Sequence, residues 1–102
     1  MGNDGFYVAK LKNGRFVVVV TRESKDTVGV FSMMTKPSQS PNDYYKIDMP
    51  YDWIPKGQNM YVDVSGWRIA KIKDLGERPI GKLDPTDYVG LYKAFMERKL
   101  GL

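Results

Sequence analysis

The sequence predicts a mainly β domain, a small and strongly curved antiparallel sheet or barrel with one helix at its C-terminal end. Three observations predict it. Short β-branched and aromatic runs recur at turn-length spacing along most of the chain, an Asn13-Gly14 pair separates the first two, and a stripe of apolar residues at three- and four-residue spacing follows them all.

Residues 6–21 read as a hairpin, with Tyr7-Val-Ala-Lys-Leu11 and Phe16-Val-Val-Val-Val20 joined across Asn13-Gly14, a pair that supplies the positive φ angles of a two-residue primed turn. The four valines do not alternate with polar residues, which predicts a central strand buried on both faces. After the polar turn at 22–26, residues 28–34 form a third strand that stops at Thr35-Lys36-Pro37, and residues 38–43 are a polar loop. Residues 44–48 alternate as a fourth strand, Pro50 and Pro55 bracket an irregular stretch, and residues 60–64 and 67–72 read as two further strands joined at Ser65-Gly66. Residues 80–83 make a short last strand. Asp84 then accepts from free first-turn N–H groups, Pro85 fits the first helical position, and Asp87 adds charge at the positive dipole end. Tyr88, Leu91, Tyr92, Phe95, Met96 and Leu100 form the stripe, Lys93, Glu97, Arg98 and Lys99 take the other face, and Gly101 is the expected C-cap.

A length of 102 residues suits one domain with one core, spanning 1–102, and 42% apolar content is that of a globular chain. No uncharged apolar run approaches the roughly 20 residues a bilayer needs, and the first residues lack a basic region followed by an apolar one, so the protein is expected to be cytoplasmic and not in a membrane. Without cysteine there is no disulfide framework or thiolate chemistry, and without histidine neither histidine-held zinc nor a histidine general base. Sixteen Lys and Arg against twelve Asp and Glu give a net charge of +4, which favours a polyanionic partner.

No Gly-rich phosphate loop, metal-ligand cluster or nucleophile–histidine pair is present, so no metal and no cofactor is expected. Such a chain can still position a phosphodiester with Arg and Lys and orient it with a hydroxyl. RNA suits such a site, because its 2′-hydroxyl is a nucleophile already held beside the phosphate, and arginine donates two parallel hydrogen bonds to the developing charge.

Arg15-Phe-Val-Val-Val-Val20, the strand ending Ser32-Met-Met-Thr35-Lys36-Pro37, the Trp67-Arg68-Ile69 strand, and above all the tail from Gly81 to Leu102 resemble the MazF/PemK (Kid) family of bacterial toxins. The resemblance implies an SH3-like antiparallel β-barrel with a C-terminal helix, the CcdB/MazF-like fold. It also implies a toxin of a toxin–antitoxin system, a homodimer that cleaves single-stranded RNA without metal to 2′,3′-cyclic phosphate and 5′-hydroxyl ends, and an acidic antitoxin occupying the same basic groove. On that pattern Arg15, with Phe16 where the family has proline, takes the general-acid and phosphate-binding role, and Thr35 helps hold the scissile phosphate. The family's long first loop is replaced here by the short Lys12-Asn-Gly-Arg15 turn.

Lys36 and Arg68 are then candidate contacts to flanking RNA backbone, and Trp53 a ring on which an unpaired base can stack, with Tyr44, Tyr45 and Tyr51 near it in sequence. Each has a plainer structural reading: Arg15 as a hairpin-end arginine, Thr35 as a strand end, Arg68 on a solvated sheet face, the rings in core packing. Asp63, flanked by Val62 and Val64, faces outward and is a general base only if desolvated. Two rival functions share the fold. A CcdB-like DNA gyrase inhibitor would carry no nuclease site and has a tight first hairpin, though its toxicity resides in a Trp-Gly-Ile end where this chain has Leu-Gly-Leu; a barrel that binds RNA or protein would have no activity.

Overall fold

β-branched and aromatic residues fill six strands in chain order: β1 (Tyr7–Lys10), β2 (Phe16–Arg22), β3 (Thr27–Met34), β4 (Tyr44–Lys46), β5 (Tyr61–Lys71) and β6 (Gly81–Lys82), followed by the helix α1 (Pro85–Leu100). This is a computed structural model, and it describes residues 6–37, 40–76 and 80–100. The strands form one antiparallel sheet in the order β4-β5-β3-β2-β1-β6, curled as a half-barrel against α1.

The curl gives the sheet two buried surfaces. Val8, Val18, Phe31, Met33, Val62 and Val64 line the inner one with Leu83 and Leu91, while Ala9, Val17, Val19, Val28 and Val30 pack on the other beneath Leu11, Ile72 and Leu75. The valine run of β2 divides between them, so its burial on both faces is what the missing alternation means. The short 3₁₀ turn Ile72–Asp74 is pinned over the second surface by Ile72 N–H to Asp26 O at 2.8 Å and Lys12 N–H to Asp74 O at 3.0 Å.

Several expectations are corrected. The β1–β2 connection is not a two-residue primed turn: Gly14 N–H reaches Leu11 O at 2.9 Å, Leu11 N–H reaches Arg15 O at 2.8 Å, and only Gly14, at φ 92°, takes a positive angle there. That is a three-residue loop with glycine in the left-handed position, and Asn13 instead accepts the Arg15 N–H at 2.9 Å. Nor do residues 60–64 and 67–72 form a hairpin. They are one strand, β5, both halves of which pair with β3, and the register jumps between Phe31↔Trp67 and Met33↔Val62. The Ser65-Gly66 signal marks a bulge, stabilised where Asp63 Oδ1 accepts from the Ser65 N–H at 2.9 Å and the Ser65 hydroxyl at 2.5 Å. The last strand contracts to two residues, and β4 ends at Lys46.

Asp84 caps α1 as expected, accepting the Thr86 N–H at 2.9 Å. The apolar stripe is narrower than its sequence: Leu91 is fully buried, Tyr88, Phe95 and Met96 are half-buried, and Tyr92 and Leu100 are exposed. Gly101 lies outside the described residues.

Candidate functional site

Antiparallel pairing of β2 with β3 sets the start of one strand beside the end of the other. The register Val17↔Ser32, continued two steps, places Arg15 opposite Met34 and next to Thr35. Strand alternation would give Arg15 the parity of Val17 and Thr35 that of Met33, on opposite faces. Both lie past the last paired residues of β2 and β3, however, Arg15 in the closing turn and Thr35 in a bend, so they stand on the rim of the sheet. Lys36 follows, and all three are exposed. Among the described residues nothing pairs with the Arg15 guanidinium, the Thr35 hydroxyl or the Lys36 ammonium, so each keeps its hydrogen-bonding capacity for a ligand.

The same rim carries an aromatic row. Tyr51 stacks on Trp53 with centroids 5.0 Å apart at 26°, and Trp53 lies 6.1 Å from Phe16, the residue after Arg15. Lys10, paired across the hairpin with Phe16, sets its ammonium 5.8 Å from the Phe16 ring centroid. Trp53 is therefore a half-buried ring in a row that ends at Phe16, the neighbour of Arg15, rather than a free indole. Lys10 and Phe16 escaped the sequence reading. Their signal was hairpin register, which sets residue 10 across from residue 16 once the turn is known.

Arg68 stands apart from this group. It pairs with Val30, five residues back along the chain from Thr35, or about 16 Å along an extended strand. Asp63 spends its Oδ1 on the β5 bulge.

The irregular stretch that carries Trp53 is organised by one buried carboxylate. Asp87, in the first turn of α1, has no exposed surface; Oδ1 accepts from the Tyr45 hydroxyl at 2.6 Å and the Asp48 N–H at 2.8 Å, and Oδ2 from the Tyr51 hydroxyl at 2.7 Å and the Met49 N–H at 3.2 Å. Four donors and the positive end of the helix dipole replace the water that a carboxylate loses on burial. Burial, then the hydrogen bond to Asp87, raises both tyrosines well above the ordinary value of 10.0 and keeps them protonated donors. The Tyr51 oxygen also accepts the Asp84 N–H at 2.8 Å, tying its ring to the helix cap.

Elsewhere, a cleft of about 670 Å³ opens between the C-terminal half of α1 and the sheet, lined by Val20, Phe31, Val64, Trp67, Tyr92 and Phe95. Trp67, 40% exposed, stacks on Phe95 at 6.2 Å and 24°.

No family model matches the sequence, and no curated protein matches it by sequence. Among solved structures the chain is similar to the Mycobacterium tuberculosis toxin MazF-mt6, with 22% identity, a TM-score of 0.69, and coverage of 93% of this chain and 95% of that one. The backbone thus agrees with that of a known toxin over nearly the whole length of both chains, and the protein has the MazF-like fold.

Proposed function

We propose that this protein is a toxin of a toxin–antitoxin system that cleaves single-stranded RNA at the Arg15 rim. The observation that carries the reading is the likeness to MazF-mt6 over 93% of the chain, and the β2–β3 register supports it by bringing Arg15 and Thr35, whose side chains have no partner among the described residues, to neighbouring positions on one rim of the sheet. In this mechanism the substrate 2′-oxygen attacks the adjacent phosphorus and the P–O5′ bond breaks, leaving a 2′,3′-cyclic phosphate and a 5′-hydroxyl. The 2′-hydroxyl proton passes to water and one returns to O5′. Arg15 donates to the non-bridging oxygens of the phosphorane and to the departing O5′, Thr35 holds the phosphate, and Lys36 neutralises the next one. Trp53 stacks a base beside the cut, and Arg68 binds backbone further along the strand. The protein works as a cytoplasmic homodimer with the RNA groove across its interface, neutralised by an acidic antitoxin segment in that groove. Incubation with single-stranded RNA in EDTA tests the reading: discrete cuts ending in cyclic phosphate are expected, and they vanish in Arg15→Ala.

One observation favours a second reading. The β1–β2 loop is tight, residues 11–15 closing on themselves by two main-chain bonds, as a CcdB-like gyrase inhibitor would have it. Under that reading RNA stays intact and supercoiling by gyrase stops. If both assays are negative while RNA still binds, the barrel is a binding module.

A further inference from the structure

We propose that Asp87 is a positioning residue for the Arg15 rim: by holding residues 48–51 against the helix cap it fixes the Tyr51–Trp53–Phe16 row, and so the wall on which a base would stack beside Arg15. The proposal rests on the RNA-cleaving reading of that rim.

Asp87 is rigid, because a fully buried side chain with both oxygens doubly bonded cannot rotate without leaving donors unpaired. Two of its bonds fix main-chain N–H groups at 48 and 49, which sets the direction in which the chain leaves Ile47. The third fixes the Tyr51 hydroxyl, whose oxygen also accepts the Asp84 N–H, so the ring is tied at its oxygen to both the carboxylate and the helix cap. Trp53 stacks on that ring, and Phe16 closes the row at the root of β2. The fourth bond, from Tyr45, locks β4 to the same carboxylate. Asp87 itself is sealed from any RNA. A buried carboxylate with four neutral donors, and no cation bonded to it among the described residues, is an expensive way to hold a surface loop, where an apolar residue would pack at lower cost; what it provides that packing does not is direction, through four hydrogen bonds.

The test uses the full chain with Trp67→Phe, which leaves Trp53 as its one tryptophan. In that background Tyr51→Phe removes one hydroxyl and keeps the ring, and Asp87→Asn sets an amide N–H₂ against donors. The expected result for Tyr51→Phe is a red-shifted Trp53 emission, acrylamide quenching raised about twofold, and KM for single-stranded RNA raised about tenfold, with kcat changed far less. Arg15→Ala should do the reverse, losing kcat with Trp53 emission unmoved. Asp87→Asn, if folded, should exceed Tyr51→Phe in all three readouts. A merely structural Asp87 would lower the melting temperature and leave quenching and KM as they were, and that outcome overturns the proposal. Parent protein that leaves RNA intact overturns the nuclease reading instead, and the quenching series then decides on its own whether Asp87 sets Trp53.

Discussion

At position 90 a single hydrogen decides whether Tyr45 reaches its carboxylate. A Cβ there would lie 2.6 Å from the Tyr45 ring and hydroxyl, both held by the bond to Asp87. Alanine would gain about 1 kcal/mol of helix propensity, yet the ring must shift and a buried donor is lost, each costing about 1–3 kcal/mol. Gly90→Ala should therefore destabilise the protein by about 1–5 kcal/mol in urea unfolding, against the usual gain for glycine replaced in a helix. Arg15→Ala belongs to the opposite class. Its side chain is exposed and makes no hydrogen bond or ion pair among the described residues, so the melting temperature should hold within a degree or two while cleavage falls at least about 100-fold. Arg15, Thr35 and Asp87 also mark what a sequence can disclose. Arg15 and Thr35 stand out only through the resemblance to the MazF/PemK family, since composition alone leaves them a hairpin-end arginine and a strand end; the β2–β3 register then sets their main chains side by side. Asp87 does not stand out: an acid in a first helical turn reads as a dipole partner, and nothing local tells that Tyr45 and Tyr51 will close over it from another part of the chain.

Among the elements, residues 44–51 and α1 are joined by hydroxyls that must stay protonated. Tyr45 and Tyr51 have folded-state pKa values raised above 10.0, by burial first and the bond to Asp87 second. A raised value means that the folded form keeps protons the unfolded chain has released, so this contribution is complete below about pH 10 and is lost as pH climbs beyond it. Urea midpoints measured from pH 8 to 11 should fall above pH 10, and Tyr51→Phe, less stable at pH 8, should fall less steeply. Element boundaries show where local reading stops. The valine strand, the Asp84 cap and the end of β3 follow from residue type. The Ser65-Gly66 pair has the chemistry of a hairpin turn, yet β3 pairs with both flanking segments, and a continuous partner strand outweighs a turn propensity. The helix stripe was overcounted for a similar reason: a short, curled sheet covers one ridge of α1, and Tyr92 and Leu100 lie beyond its reach.

For the molecule as a whole, charge and uncovered apolar surface make separate predictions. If Arg15, Lys36 and Arg68 each meet one phosphate, log Kd for single-stranded RNA should vary with log salt with a slope of about 2, and Lys36→Ala should lower it by about 0.7. Trp67, Ile69, Val89, Tyr92 and Leu100 are large apolar residues in the open, and the cleft between α1 and the sheet is flanked by two of them. Tyr92→Lys should turn a homodimer into a monomer at micromolar concentration by light scattering, with circular dichroism unchanged. A monomeric parent would refute the homodimer.

β4 pairs with Tyr61, Val62 and Asp63 and goes no further, so among the described residues the rest of β5 keeps one side of its main chain unpaired, with Trp67 and Ile69 beside it. Such a margin is a template on which misplaced chains accumulate. Arg68 and Lys71, spaced along it, supply the repulsion that keeps it vacant. Colloidal behaviour thus depends on cations that need have no part in catalysis, and neutralising both should bring turbidity at concentrations where the parent stays clear.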